Sequence, residues 1–199
     1  MPLFVPEAKQ AGDTRIDDND QFFLYVGRLE KVKGLRTLIP LFKGRTRAQL
    51  LVAGTGSDEL QLRELASGSN IRFLGHLAEV ELQRFYRRAV AVIVPSLCFE
   101  ISPLVMLEAF RHGIPVIARN LGGMAELIAD SGGGVTYDSD EELRAAMDRM
   151  LDEKEERATL GLNGHHAYQR QWTTQAYLER YFGLIDDLRS KRELQACGV

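Results

Sequence analysis

The sequence predicts an α/β domain: a parallel sheet with helices on both faces, followed by a helical tail. Three observations carry this. From residue 22 onward, short apolar runs alternate with stretches of helical periodicity. Residues 90–94 are apolar at every position, as in a strand covered on both faces. Strands alternating with helices of about 10–15 residues are βαβ units, whose strands run parallel.

The elements follow in order. Residues 1–21 are polar, rich in Asp and carry Pro2 and Pro6, and they read as a leader or linker remnant. Phe22 to Val26 is a buried strand by its length and its aromatic and β-branched content. Leu35, Leu38, Ile39 and Phe42 repeat at helical spacing. Gln49 to Ala53 is the second strand, and Leu62, Leu65 and Ala66 mark a short helix after it. Residues 71–74 form the third strand, closed by Gly75, and Leu82, Phe85, Tyr86 and Ala89 the next helical face. The run 90–94 ends at Pro95. Ser102-Pro103 is a helix start, a hydroxyl N-cap before a proline whose missing N–H costs nothing in the first turn. That helix runs to about His112, with Gly113 as its terminator. A strand at 115–118, a short helix near 125–128 and a strand at 135–137 complete the alternation. Leu143, Met147, Met150 and Leu151 stripe a helix beginning near Asp140, and a final helix carries Tyr177, Tyr181, Leu184, Ile185 and Leu188.

Composition narrows the function class. A chain of 199 residues buries roughly 70% of the surface its unfolded form exposes and needs no staple. Lys and Arg number 25 against 28 Asp and Glu, a net charge of −3, which argues against a general nucleic-acid binder. No apolar run reaches the roughly 18 residues of a membrane span, and residues 1–20 lack the order of a signal peptide. Cys98 and Cys197 fit neither a zinc motif nor a disulfide framework, and a cytoplasmic protein with reduced thiols is the simplest reading. His76, His112, His165 and His166 show no metal spacing, so no metal site is expected.

In a parallel sheet, ligands bind beyond the carboxyl ends of the strands. The loop after the first strand runs from Gly27 through Arg28 and Lys33 to Gly34, placing two cations beside a helix N-terminus, where an anion is favoured. The loop after residues 90–94 brings Glu100 and Glu108 around another helix start. Glu108 stands among apolar neighbours, which implies a partner, and could accept the two hydroxyls of a ribose. Gly54-Thr55-Gly56 hints at a phosphate loop but lacks the third glycine of a dinucleotide fingerprint. The charged run 153–157 reads as a solvated helix face.

FLYVGRLEKVKG (23–34), LLVAGTGS (50–57), IRFLGHL (71–77) and the long segment 94–128 resemble the retaining glycosyltransferases of family 4, also called group 1, over residues 22 to about 188. The resemblance is to the C-terminal, nucleotide-sugar-binding half of the GT-B architecture. It implies a Rossmann-like domain over 22–172, with 173–199 a C-terminal helix and tail packed on that domain or on an N-terminal half. It implies that Arg28 and Lys33 grip the diphosphate of a UDP- or GDP-sugar beside Gly27, and that Glu108 holds the ribose. Glu100 faces the donor sugar, and Gly75, His76 and Leu77 lie against the base. The amides of Ser102, Leu104 and Val105 serve the phosphates. Glu100, Arg28 and Lys33 are then the catalytic residues, without cofactor or metal. The acceptor, a sugar, lipid or small molecule, is undetermined. A peripheral place at the cytoplasmic membrane face fits the family.

One departure stands out. Many members read Glu-Gly-Phe-Gly where this chain reads Glu100-Ile101-Ser102-Pro103, and Pro103 offers no amide. The resemblance covers only one half of such enzymes, so the chain is expected to be a fragment or one part of a split enzyme, inactive alone. Two other readings stay open: a non-catalytic nucleotide-sugar-binding module that needs a partner chain, and a GT-B sugar-nucleotide epimerase, which the motif order fits less well.

Overall fold

The computed structural model describes residues 21–44, 47–101 and 103–196. The leader reading of 1–20, the Ser102 cap and amide, the Tyr177 side chain and Cys197 lie outside what it describes. Six parallel strands form one sheet: β1 (Phe22–Val26), β2 (Gln49–Ala53), β3 (Ile71–Gly75), β4 (Ala91–Val94), β5 (Val116–Arg119) and β6 (Gly134–Tyr137). Their order across the sheet is β3-β2-β1-β4-β5-β6. The chain builds outward from β1 in one direction, then returns to start again on its other side at β4. The crevice between β1 and β4 is therefore the switch point, where loops leave in opposite directions and a ligand fits.

The helices among the described residues are α1 (Leu35–Phe42), α2 (Glu59–Leu65), α3 (Glu79–Tyr86), α4 (Leu104–Arg111), α5 (Gly123–Ser131), α6 (Asp140–Asp152), α7 (Lys154–Gln171) and α8 (Thr174–Ala196). Alternate side chains of each strand feed two cores, as the period-two geometry of a strand requires. Phe23, Leu50, Val52 and Ile93 pack under α1, α2 and α6. Leu24, Leu51, Val92 and Val94 pack under α3, α4 and α5. Every residue of β4 is buried, as its unbroken apolar run demands.

α7 closes over α4 through glycines. A Cβ on Gly161 would stand 2.1 Å from the Gly113 carbonyl oxygen, and one on Gly164 2.6 Å from the Phe110 ring. Trp172 then stacks on Phe110 at 6.0 Å. The charged run 153–157 opens α7 on its solvated side, although Arg157 reaches back to the Met150 carbonyl. On α8, Leu178, Tyr181, Phe182, Leu184 and Leu188 are exposed.

Two boundaries differ from expectation. α5 begins at Gly123 and ends at Ser131, longer than its few apolar residues suggest. α4 begins at Leu104, with Pro103 itself in the cap position at φ −72° and ψ 97°. The ring fixes φ at a helical value, yet ψ stays extended, so the proline precedes the first turn and does not sit within it.

Candidate functional site

The first loop is shaped by close packing. β1 ends at Val26 and Gly27 donates to the Ala53 carbonyl. A short 3-10 turn at Lys31–Lys33 leads into Gly34, whose φ of 73° is left-handed. A Cβ at Gly34 would lie 2.0 Å from the Pro95 carbonyl oxygen, so glycine is required for both the dihedral and the contact. The Leu97 amide donates to the Val32 carbonyl across the same junction. The loops after β1 and β4 are thereby locked together, and Lys33 comes to face Glu100.

Lys33 Nζ donates to Glu100 Oε1 at 2.5 Å, and the Ser96 hydroxyl donates to the same oxygen at 2.8 Å. Ser96 is only 1% exposed. Burial alone would raise the Glu100 carboxyl, but hydrogen bonds from Lys33 and Ser96, with the charges of Lys33 and Arg28, hold it below its ordinary range. Arg28 is exposed and pairs with Glu30 at 2.8 Å. The buried Tyr25 hydroxyl donates to the Arg28 carbonyl at 3.0 Å, and its burial, with Glu100 and Glu30 nearby, pushes its pKa well up. Tyr25 therefore acts as a neutral strut.

These residues line one cavity of about 410 Å³ at the switch point, with Gly27, Arg28 and Lys33 on one wall and Glu100, Leu104 and Val105 on the other. Leu104 and Val105 open α4, where first-turn N–H groups have no carbonyl partner within the helix and carry the positive end of its dipole. The cavity joins two basic side chains, one carboxylate and a helix start, a combination that accepts a doubly anionic group beside a hydroxyl-bearing one.

Glu108 stands outside this cavity. It is exposed, not buried, and lines a second cavity of about 230 Å³ between α3 and α4, with Leu77, Gln83, Tyr86 and Arg111 among its neighbours. It has the expected partner nonetheless: the Tyr86 hydroxyl donates to Glu108 Oε2 at 2.6 Å. Leu77 joins this cavity, while Gly75 and His76 line neither. His76 is exposed, and Gly75 accepts from the Gly54 amide at 2.7 Å.

Gly54-Thr55-Gly56 does other work. A Cβ on Gly56 would meet the Leu29 backbone at 2.4 Å, and Leu29 N–H donates to the Thr55 carbonyl. These residues brace the β1 loop from behind. His112 stacks on Tyr86 at 5.4 Å, and burial with the charges of Arg111 and Arg87 lowers its pKa. Among the described residues, no group of three His, Cys, Asp or Glu is arranged to hold a metal, and no helix is long and apolar enough to cross a membrane. Residue spacing does not single out Ser96, Tyr25 or Tyr86 as site residues. Ser96 alone has a local signal, beside Pro95 at a strand end.

Residues 7–167 match the model of the family described as glycosyl transferases group 1. A GDP-mannose-dependent phosphatidylinositol monomannoside mannosyltransferase of Corynebacterium glutamicum is 30% identical over 196 residues, covering 91% of this chain and 51% of that protein. A glycogen synthase of Thermus thermophilus is 35% identical over 144 residues, 69% of this chain and 33% of that one. The chain thus spans about half or less of the length of these relatives. Among solved structures, the sucrose-phosphate synthase of Thermosynechococcus elongatus superposes with a TM-score of 0.76 at 28% identity, over 88% of this chain and 47% of that one. The HepE protein of Anabaena, solved with UDP, shares the fold at 0.75 and 19% identity, over 85% of this chain and 49% of its own.

The depressed Glu100 pKa has a consequence for stability. A carboxyl whose folded value lies below its unfolded one stabilises the fold above the ordinary value of 4.5, and that contribution is lost as pH falls through the folded value. Glu100→Gln lacks this contribution at every pH. Urea denaturation at about pH 7 and about pH 3 should show the gap between wild type and variant shrinking in acid. A gap of the same size at both pH values would mean that the Lys33–Glu100 pair contributes nothing to the folded state.

Proposed function

Because the chain belongs to the glycosyl transferases group 1 family, we propose that it forms the donor site of a retaining, metal-independent sugar transferase and binds a nucleoside-diphospho-sugar linked to UDP or GDP. The observation that carries this is the convergence of Arg28, Lys33, Glu100 and the first turn of α4 on one cavity at the β1/β4 crevice. The name of the Corynebacterium relative, which takes GDP-mannose, supports the ligand class. The diphosphate and sugar occupy this cavity. The nucleoside extends along α4 toward Glu108, with its base on the side of Gly75, His76 and Leu77.

Each residue has a physical task. Lys33 has three donor hydrogens, so it can keep Glu100 and still reach a phosphate. Arg28 stands on an exposed loop and turns from Glu30 to the diphosphate when that stronger anion arrives. Oε1 of Glu100 is occupied by Lys33 and Ser96, which leaves Oε2 for a sugar hydroxyl. In transfer, the bond from the anomeric carbon to the diphosphate oxygen breaks, and the acceptor oxygen bonds to that carbon on the same face. The acceptor proton passes to the departing phosphate. Arg28, Lys33 and the α4 amides stabilise the charge that grows on the leaving group, which is the countercharge a metal would otherwise supply. Pro103 contributes no amide, so this duty falls on Leu104 and Val105.

Calorimetry of single variants tests the diphosphate assignment. Arg28→Ala and Lys33→Ala should each weaken UDP or GDP by about 30-fold, and uridine or guanosine far less. Equal losses for nucleotide and nucleoside would remove the assignment. A second outcome concerns turnover. Holding an acceptor beside the donor is worth roughly 7–11 kcal/mol, and the donor cavity is built by one sheet. The purified 199-residue chain should bind donor, hydrolyse it slowly and show little transfer to a broad acceptor panel. Robust transfer by the monomer would show that the sheet described here also positions the acceptor.

A further inference from the structure

We infer that Tyr86 is the positioning residue that aims Glu108 at the ribose, making the preference for ribonucleotides a property of the pair and not of the glutamate alone. This rests on the reading that Glu108 holds the ribose, and it extends that reading to a residue on another helix. Glu108 projects from α4 into the groove between α3 and α4 and is exposed, so by itself its side chain would sample several rotamers in water. Tyr86 comes from the end of α3 and is 2% exposed. Its ring is held in the core beneath α3 and α4 and stacked on His112 at 5.4 Å with an interplanar angle of 18°. Tyr86 lines the groove, and its hydroxyl donates to Glu108 Oε2 at 2.6 Å.

A rigid ring thus fixes one oxygen of a flexible carboxylate. Burial, with Glu108 beside it, drives the tyrosine pKa well up, so the hydroxyl keeps its proton and remains the donor at working pH. A carboxylate offers about four lone-pair positions. Tyr86 takes one on Oε2, and the carboxylate so held lines the cavity together with Leu77 and Leu82. A ribose diol finds its acceptor already placed and does not have to order it on binding.

Tyr86→Phe removes the hydroxyl and keeps the ring, so the His112 stack and the packing survive. The experiment is calorimetry of wild type, Tyr86→Phe, Glu108→Gln and the double variant, with whichever of UDP, GDP or ADP binds wild type tightest and with its 2′-deoxy counterpart. Tyr86→Phe should lose roughly ten-fold in affinity for the ribonucleotide and much less for the deoxynucleotide, so the ribose preference shrinks. Adding it to Glu108→Gln should cost nothing further. Equal weakening of both ligands, or additive losses in the double variant, would make Tyr86 a packing residue and overturn the inference while leaving the ribose reading intact. An unchanged ribose preference in Tyr86→Phe would overturn it as well. If Glu108→Gln binds ribo- and deoxynucleotides as wild type does, the ribose reading itself falls and takes this inference with it.

Discussion

Two loops that leave adjacent strands in opposite directions must touch for this site to exist, and they touch at Gly34. The left-handed backbone there and the 2.0 Å that would separate a Cβ from the Pro95 carbonyl oxygen exclude a side chain. The contact between lysine and carboxylate in the first cavity depends on that approach. The approach sets Lys33 against Glu100 and lets buried Ser96 share the same carboxylate oxygen, in a cavity that the first residues of α4 also line. The sheet order supplies the reason the loops are neighbours at all, since β1 and β4 adjoin only because the chain reverses its winding direction between them.

The fold is legible in the sequence because its signals are local. Apolar runs place all six strands to within a residue or two, and the uninterrupted run before Pro95 identifies the central strand from composition alone. Arg28, Lys33 and Glu100 are legible for a similar reason: each lies in a loop at a strand's carboxyl end, and topology then brings those loops together. Loop-to-loop contact is not legible. Gly54 and Gly56 look like a phosphate loop in sequence, yet their missing side chains admit the backbone of the β1 loop. Apolar neighbours make Glu108 look sheltered, but Leu104, four residues before it on the same helical face, is itself 67% exposed, and Glu108 is exposed with it. Tyr86 carries no sequence signal for its role, since its partner is 22 positions away on a different helix.

The two glutamates share a design. Each has one carboxylate oxygen anchored by the hydroxyl of a buried residue, Ser96 for Glu100 and Tyr86 for Glu108, and each lines a cavity. Preset acceptors reduce the side-chain entropy that ligand binding must otherwise overcome. The same arrangement separates their tasks. Glu100 is tied to Lys33 before α4 begins, while Glu108 sits within α4 in a groove that Arg111 also lines.

The most direct measurement is a crystal structure of this chain with a bound nucleoside diphosphate. The diphosphate should lie over the first turn of α4, within hydrogen-bonding distance of Lys33 Nζ and the Arg28 guanidinium, with the ribose hydroxyls on Glu108. A diphosphate bound away from the β1/β4 crevice, or a ribose directed away from Glu108, would contradict the arrangement proposed for the donor.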